Sequence, residues 1–306
     1  GDALLHGSFC TPPHAAPFTV LFGSCAGVSP LVPRVAAFEW AARLQQEPHK
    51  RSPLVAAILL GDIPYLDVHE WLPLRVAPQL AYPRTFATLE PLLRSHTASL
   101  MMHDDHEVRN DWSGDWRDIG DDGSLRAHVD EWIWARNHDP DGDRSQRWHV
   151  SCPAAPHLCI FDADTRSGLG DERQWDALRA FFATDYTWHI VASPNLVAAS
   201  FDTDQGVPAA ARERLLRMAP RNTVILSGDM HWAFAVEFDG GRVHEFGASP
   251  FQALPFPAPD IRLVEGERVL FLQAGGFFAG TFEYEQPALT VRLHRMPIFF
   301  DSQQLL

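Results

Sequence analysis

The stretch LVAAILLGDIPY at residues 54–65 decides the fold more than any other part of the sequence. Its first seven residues are all apolar, which is typical of a strand that is covered on both faces of a parallel sheet. The strand then runs into Gly61 and Asp62, with Tyr65 shortly after. A carboxylate directly after a buried strand is costly unless its charge is compensated, so we expect a functional site at this strand end.

The same pattern of apolar runs and helical spacing extends along the chain on both sides. Further strands are predicted at Phe18–Gly23, Ala98–Met102, 158–161, 188–192 and 223–226, and helices at 33–46, 86–94, 124–137, 173–183 and 208–218. Strands that alternate with helices favour an α/β fold with largely parallel pairing. Beyond Met230, strands at Ala233–Phe238, 269–273 and 289–293 follow one another without a long helix. We therefore predict an antiparallel C-terminal part and an α/β (α+β) fold class.

Length and charge narrow the function. A chain of 306 residues with 46% hydrophobic residues can bury a large core. We expect one catalytic domain over residues 1–306, with a Trp-rich helical insertion at 110–150. The net charge of −14 argues against non-specific nucleic-acid binding, which needs a basic surface.

Compartment and cysteine use are less informative. No apolar run is long enough for a transmembrane helix, and the first residues do not form an intact signal peptide. A signal removed upstream would make the protein secreted or periplasmic, and otherwise it would be cytoplasmic, so the compartment stays open. The four cysteines are too few for a disulfide scaffold in a chain of this length.

Polar residues follow five of the predicted strands. These strand ends read FGSC, GDIPY, HDDHE, SPN and SGDMH, and they place Cys25, Asp62, Tyr65, Asp105, His106, Asn195, Asp229 and His231. Ligands of parallel α/β sheets bind beyond the carboxyl ends of the strands. We therefore expect these side chains to converge, with cations to balance their negative charge.

The ordered motifs resemble those of a known family. FGSC, GD-x-x-Y, DDHE, D-T-R and S-G-D-x-H follow one another between residues 22 and 231, as in the alkaline phosphatase D (PhoD-like) branch of the metallophosphoesterases. The resemblance implies a four-layer αββα sandwich related to purple acid phosphatases. It also implies phosphomonoesterase or phosphodiesterase activity with a ferric ion and a calcium ion. Many members carry an N-terminal β-sandwich, which we do not expect here, because few residues precede Phe18 in this sequence.

The donor types divide into two candidate cation sites. The first set is Cys25, Asp62, Tyr65 and His231, whose thiolate, phenolate and imidazole donors suit Fe³⁺, although zinc accepts most of them. The second set is Asp62, Asp105, Asn195 and Asp229, whose oxygen donors suit Ca²⁺ or Mg²⁺. Asp62 would bridge the two ions. Manganese also stays open, because the bound metal depends on supply.

Two further residues are candidates for catalysis. His106 follows Asp105, as the histidine of the family's motif does, and would protonate the leaving oxygen or stabilise the equatorial charge. Arg166, in DADTRSG, would clamp phosphate oxygens. A phosphoesterase with two cations would use them to bind phosphate and activate water. The substrate would be a small-molecule or lipid phosphate ester.

Simpler interpretations exist for most of these residues. A lone buried cysteine is usually a small apolar residue, and Asp62 and Asn195 are also ordinary turn residues. Arg166 could instead pair with Asp162 or Asp164, and Asp104 and Asn110 could simply hold their loop. Glu107 is also compatible with the start of a helix. His103 suits the core, as do Trp132 and Trp134, whereas Trp112 and Trp116 could pack or line a pocket.

Two other functions keep the same motifs. A catalytically silent relative would bind a phosphorylated ligand without turnover. A specialised enzyme would use the metal site on a phospholipid, a phosphorylated natural product or a non-phosphate ester.

Overall fold

The computed structural model describes twelve stretches of the chain. They are residues 17–27, 36–46, 52–69, 72–75, 77–94, 98–112, 114–119, 123–134, 146–154, 157–201, 206–253 and 256–296. None of the helices in these stretches is long and apolar enough to cross a lipid bilayer.

The strands form two large sheets and one small hairpin. They are β1 (Phe18–Gly23), β2 (Leu54–Leu60), β3 (Asp67–His69), β4 (Leu72–Arg75), β5 (Ala98–Met102), β6 (His149–Ala154), β7 (Leu158–Asp162), β8 (Trp188–Ser193), β9 (Thr223–Ser227), β10 (Ala233–Phe238), β11 (Val243–Ala248), β12 (Glu267–Gln273), β13 (Phe277–Glu285) and β14 (Ala288–Met296).

The helices lie between the strands of the first two-thirds of the chain. They are α1 (Ala36–Gln46), α2 (Pro78–Thr88), α3 (Glu90–Arg94), α4 (Gly123–Val129), α5 (Glu172–Phe182) and α6 (Ala209–Met218). A 3₁₀ turn covers Trp116–Ile119, and a wider helical turn, Asp130–Trp134, continues α4.

The first sheet has the order β14-β13-β1-β2-β5. Strands β1, β2 and β5 are parallel, as their apolar sequences predict, so their carboxyl ends meet at one edge. The C-terminal hairpin of β13 and β14 joins this sheet, where β13 runs antiparallel to β1.

The second sheet has the order β12-β10-β11-β9-β8-β7-β6. Strands β7, β8 and β9 are parallel, so their carboxyl ends also meet at one edge. The predicted antiparallel C-terminal part is present, since β10 pairs antiparallel with β11 and β12, and β13 with β14. Strand β11 also pairs parallel with β9, which makes this sheet mixed. After the turn that follows Phe238, β11 lies between β9 and β10. The sequence analysis did not predict this strand, because the polar residues His244 and Glu245 interrupt its apolar pattern.

Side chains on alternate positions of the second sheet face two different cores. Ile190 and Leu226 pack with Leu60 and Met102 of the first sheet. Val191 and Ile225 belong to the other cluster, which Trp175, Leu178 and Leu215 of α5 and α6 complete. Phe38 of α1 and Tyr82 of α2 pack with the core of the first sheet. The result is the four-layer αββα sandwich predicted from the sequence.

The sequence explains where helix α5 begins and which of its faces is buried. Its N-cap is Asp171, whose carboxylate accepts a hydrogen bond from the Arg173 backbone N–H at 2.9 Å. Its buried face includes Trp175, Leu178 and Phe181.

Two predicted helices differ in extent. Instead of one helix over 86–94, there are two short helices, and α2 begins earlier, at a proline in the first turn, where a missing N–H costs nothing. The predicted helix at 124–137 is α4 plus its wider last turn as far as Trp134, and residues 135–137 lie outside the described chain.

One disulfide joins Cys152 and Cys159 on the antiparallel neighbours β6 and β7. Within the described stretches this is the one cross-link, in agreement with the expectation that cysteines do not build the scaffold. Cys25 is a free, buried thiol.

Candidate metal centre

The loops after the parallel strands of both sheets meet at one place. Cys25 follows β1, Asp62 follows β2, and Asp229 follows β9, and all three have left-handed backbones, with φ of 56°, 58° and 63°. Such conformations are disfavoured for residues with a Cβ and are concentrated at functional sites. The backbone bends sharply here, directly after each strand, and this directs the polar side chains to the sheet edge.

Two glycines allow the loops to approach closely. A Cβ at Gly61 would lie 2.7 Å from the Cβ of Asp104, and a Cβ at Gly228 would lie 2.3 Å from the Leu60 carbonyl oxygen. Steric hindrance therefore explains why glycine precedes the aspartate in both motifs, since a larger residue at Gly61 or Gly228 would clash with the neighbouring loop. Gly228 brings the second sheet's loop directly onto the end of β2.

Four carboxylates form the centre of the site. Oxygens of Asp62, Asp104, Asp105 and Asp229 lie within 4.8 Å of one another, and Asp62 and Asp105 also form such a group with His106. All four carboxylates are buried or nearly so. Asp62 and Asp105 belong to both groups. The cluster could hold a metal ion.

Several donor atoms in the cluster are buried without a hydrogen-bond partner. Among the described residues these are Asp104 Oδ2, Asp105 Oδ1, Asp229 Oδ2 and the Tyr65 hydroxyl. Burying an anionic oxygen without a partner is strongly unfavourable. Oxygens of this kind are the ligands that hard cations prefer, so the donor set fits bound cations.

The negative charges of the cluster repel one another. Burial, with the neighbouring carboxylates as the next cause, raises the pKa of Asp62 and of Asp229 well above the ordinary value. Burial and the charge of Asp62 also raise the pKa of Cys25 and of Tyr65. A cation would reverse each of these shifts by stabilising the deprotonated form.

Cys25 lies against the acids. Its thiol donates to Asp62 Oδ2 at 3.4 Å and to the Asp229 backbone carbonyl at 3.3 Å. Its side chain and that of Tyr65 pack together with Ala253, and the Tyr65 ring stacks on His106 with 4.0 Å between centroids. The structure thus brings the residues of the first predicted donor set to the carboxylates.

His231 lines a cavity of about 160 Å³ together with Asp62, Asp105 and Asp229. Its ring stacks on Phe256 at 4.4 Å between centroids. This small cavity is the space directly over the carboxylates.

Asn195 lies beside the cluster and contacts Asp104. Its Nδ2 donates to Asp104 Oδ1 at 3.1 Å, while its Oδ1 accepts from the Thr165 hydroxyl at 3.1 Å. The amide oxygen, which is the atom that would bind a cation, therefore faces Thr165. Asp104, which the sequence analysis considered a loop-holding residue, provides carboxylate oxygens at the centre instead.

Arg166 is the cation among these acids. Its Nε donates to Asp104, and its Nη2 lies 3.8 Å from Asp105 and 3.6 Å from Asp229. Burial lowers the pKa of Arg166, but the carboxylates raise it by more, so it stays charged. The alternative pairing of Arg166 with Asp162 or Asp164 is therefore wrong. Nη2 is buried and has no hydrogen-bond acceptor within the described residues.

His106 is oriented by a residue that the sequence analysis missed. Its Nδ1 lies 2.8 Å from Asp67 Oδ1, and the other Asp67 oxygen accepts from the Asn110 backbone N–H. Burial opposes the charge of His106, but the bond to Asp67 and the charges of the neighbouring carboxylates together outweigh it and raise the pKa. Asp67 lies on the short β3, and no sequence pattern singles it out.

Glu107 holds the loops together rather than starting a helix. Residues 103–112 form turns, and the Glu107 carboxylate accepts from the backbone N–H groups of Asp62 at 3.0 Å, Ile63 at 2.7 Å and Asp104 at 2.8 Å. Burial raises the pKa of Glu107 to about 8. His103 is a core residue, since it accepts from Trp134 Nε1 at 2.8 Å.

The fold and the site define a class: four-layer αββα sandwiches with an acidic cluster at the carboxyl ends of their parallel strands. PhoD has this fold, with a TM-score of 0.61 over 94% of this chain and 71% of the PhoD chain, at 14% sequence identity. GAP50, the anchor in the inner membrane complex of Plasmodium, aligns with a TM-score of 0.60 over 93% of this chain and 90% of that chain, at 10% identity.

These likenesses show a PhoD-like fold, as the motif resemblance implied. No family model matches the sequence, and no curated protein matches it.

Proposed function

We propose that the protein is a metal-dependent phosphoesterase that hydrolyses its substrate at a dinuclear centre. The observation that carries this proposal is the cluster of four buried carboxylates, three of which have an oxygen without a partner, at the strand ends of a PhoD-like sandwich. Such a cluster is unstable without cations, and paired cations are the usual means of hydrolysing phosphate esters.

The donors would divide between two cations. Cys25, Asp62, Tyr65 and His231 would hold the first, with Fe³⁺ or Zn²⁺ as the ions that suit a thiolate and an imidazole. Asp62, Asp105, Asp229 and Asn195 would hold the second, with Ca²⁺, Mg²⁺ or Mn²⁺ suited to oxygen donors. Asp104 is a further donor for this second ion. Bound cations supply Lewis-acid polarisation of the phosphate and a hydroxide at neutral pH.

His106 would move a proton. Because Asp67 accepts the hydrogen of Nδ1, the other ring nitrogen, Nε2, is the one that can exchange a proton with the substrate. Its raised pKa keeps a larger share of the ring protonated near neutral pH. His106 would therefore protonate the leaving alcohol.

Arg166 would bind a phosphate oxygen through Nη2. Its Nε is held by Asp104, so the guanidinium is fixed in place before the substrate arrives. The buried Nη2 has N–H groups without acceptors in the described structure, and a phosphate oxygen would accept from them.

The test combines metal analysis with an assay. Protein purified without chelators should contain close to two metal ions per chain and hydrolyse bis(p-nitrophenyl) phosphate. Asp62→Ala should lose both, because the carboxylate serves both ions, with a fall in kcat/KM of roughly 10³-fold or more.

The matched control is Asp185→Asn, which removes an exposed acid that is none of the candidate ligands. It should keep wild-type metal content and activity. Metal-free protein that stays inactive after reconstitution would refute the proposal. Protein that binds both metals but hydrolyses no ester would instead be a phospho-ligand-binding protein.

A further inference from the structure

Two neighbouring contacts join the loops of the two sheets beside the candidate metal centre. In the first, Arg166, after β7, donates from Nε to the carboxylate of Asp104, after β5. The second is made by the residues next to these in sequence, His103 and Ser167. Nε2 of the His103 ring lies 3.4 Å from the Ser167 hydroxyl oxygen. The same two loops are therefore tied together at two successive positions.

The Ser167 hydroxyl is where three segments of the chain meet. It donates to Asp164 Oδ2 at 2.6 Å and accepts from Arg147 Nη1 at 3.2 Å. Its remaining lone pair is available to the His103 ring. A hydroxyl has one hydrogen and two lone pairs, so all three of its hydrogen-bonding positions are used.

The second bond of His103 decides which ring nitrogen carries the hydrogen. Nδ1 accepts from the Trp134 indole N–H at 2.8 Å, and an indole N–H can only donate. In the neutral ring the hydrogen is therefore on Nε2, the atom that lies beside the Ser167 oxygen. His103 is fully buried. The donors and acceptors around His103 and Ser167 are thus mutually consistent.

The loop that carries Arg166 is also closed upon itself. Asp164 Oδ1 accepts from the Ser167 backbone N–H at 2.7 Å, which completes a turn around Arg166. Gln174 of α5 accepts from the Asp164 backbone N–H at 2.8 Å and donates to the Asp164 carbonyl at 3.1 Å. The turn is therefore fixed to α5 on one side and, through Ser167, to the loop after β5 on the other.

The free end of Arg166 depends on this arrangement. Its Nη2 lies 3.8 Å from Asp105 Oδ1 and 3.6 Å from Asp229 Oδ2, and no acceptor for it is found in the described stretches. The bond from Nε to Asp104 fixes one edge of the guanidinium. Where Nη2 lies then depends on how the two backbones are aligned, and the contact between His103 and Ser167 aligns them.

We propose that Ser167 and His103 are positioning residues for phosphate binding, because they align the two loops so that Arg166 Nη2 faces the space over the carboxylates. This inference rests on the proposed function, and it adds two residues to the same site that are not candidate metal ligands. They act through Arg166 and Asp104 rather than on the substrate itself.

Ser167→Ala removes the shared hydroxyl. The metal-loaded variant should bind inorganic phosphate about tenfold more weakly in calorimetry and keep its metal content. KM for bis(p-nitrophenyl) phosphate should rise about tenfold while kcat changes less than threefold, because Arg166 would bind the phosphate in the ground state as well as in the transition state. Unchanged phosphate affinity, or a loss confined to kcat, would overturn the proposal.

The matched control is Ser52→Ala. This buried serine lies just before β2, at the end of the parallel strands opposite to the site, and its hydroxyl is 2.9 Å from Thr19 Oγ1. The control should change phosphate affinity and KM less than twofold. A loss as large as that of Ser167→Ala would show that any missing buried hydroxyl has this effect, and would overturn the assignment.

A double-mutant cycle separates positioning from a general structural effect. In Arg166→Gln the group that Ser167 positions is missing, so adding Ser167→Ala should weaken phosphate binding less than twofold further. Effects of two independent changes on the binding free energy would instead add. A further tenfold loss in the Arg166→Gln background would overturn the proposal.

His103→Gln and His103→Leu test the second residue. Glutamine has both an acceptor and a donor, so it can replace the two bonds of the ring, whereas leucine can replace neither. Phosphate affinity should stay within about threefold of the wild type in His103→Gln and fall about tenfold in His103→Leu. Equal affinities of the two variants would overturn the role of His103.

Phosphate binding also separates failure of this inference from failure of the proposed function. If the metal-loaded protein hydrolyses no ester, the phosphoesterase proposal fails, and the binding measurements still decide the role of Ser167. Binding that is weakened by Ser167→Ala but not by Ser52→Ala supports that role without turnover. Hydrolysis with unchanged phosphate affinity in Ser167→Ala overturns this inference alone, and a wild-type protein that binds no phosphate overturns it as well.

Discussion

The two sheets contribute to the site in different ways. The loops of the first sheet supply Cys25 and three of the four central carboxylates, Asp62, Asp104 and Asp105. The loops of the second sheet supply the fourth carboxylate, Asp229, together with Arg166 and Asn195, which both donate to Asp104. The first sheet therefore supplies most of the negative charge, and the second sheet supplies the groups that compensate part of it.

Each sheet also has a buried glutamate that holds its loops. Glu107 accepts from the backbone N–H groups of Asp62 and Asp104 themselves. In the second sheet, Glu245 of β11 accepts from the N–H groups of Val197 and Ala198 at 2.7 Å, just after Asn195. Glu107 thus binds the backbone of candidate ligands directly, whereas Glu245 binds the backbone of the residues that follow a candidate ligand.

Glu107→Ala should have the largest effect. It leaves three buried N–H groups without acceptors, at about 1–3 kcal/mol each, and releases the backbones of Asp62 and Asp104. We expect metal affinity to fall about 100-fold or more, the upper end for residues that orient ligands. Metal titration with a fluorescent competitor, beside a denaturant unfolding curve, measures both effects. Unchanged affinity in a destabilised protein would contradict the direct role of Glu107.

Glu245→Ala should separate stability from metal binding. It also removes an acceptor for three groups, the third being the Ser227 hydroxyl, so the free energy of unfolding should fall by a similar few kcal/mol. Because Glu245 contacts no candidate ligand, metal affinity should fall about tenfold or less. The same two measurements apply. A loss of metal affinity as large as that of Glu107→Ala would show that the two glutamates support metal binding to the same extent.

Asp162→Asn should give the smallest change, and a pH-dependent one. Asp162 ends β7, and within the described structure neither carboxylate oxygen has a hydrogen-bond partner, in contrast to the two glutamates. Burial raises its pKa to about 7. The folded state then binds the proton more tightly than the unfolded chain does. The stability from this group is present below about pH 4 and is lost as pH rises through about 7.

The variant keeps the shape of the side chain without its charge. Above pH 7 it should be more stable than the wild type by about 2–4 kcal/mol, at about 1.4 kcal/mol for each pH unit between the two pKa values. At pH 4 the two proteins should be equal. Unfolding curves at pH 4, 6 and 8 check this, and a difference that does not grow with pH would contradict it.

Much of the architecture could be predicted from local pattern. Strands β1, β2 and β5 have the predicted bounds because each is a short apolar run next to a glycine or polar loop. Strand β11 could not be found in this way, because His244 and Glu245 interrupt its apolar pattern. Its place beside β9 results from pairing with a strand distant in sequence.

For the candidate site, too, some features could be predicted from the sequence and others could not. The residue types after the strands indicated that Cys25, Asp62, Asp105, Asp229 and His231 would meet, because parallel strands end at one edge. The partner of Arg166 could not be predicted, since Asp104 is 62 positions away, whereas Asp162 and Asp164 are its neighbours in sequence. Asp67 and Glu107 were missed as supporting residues for the same reason.

The sequence by itself determined the parallel strands β1, β2, β5, β7, β8 and β9, the polar residues that follow them and the resemblance to PhoD-like proteins. These depend on apolar periodicity and local turns, which are short-range properties. Only the tertiary structure decided which carboxylate oxygens have no hydrogen-bond partner among the described residues, which acids lie beside Arg166 and how large a cavity lies over them. Those depend on distances between loops of different sheets, and such distances are set by packing rather than by any local pattern of residues.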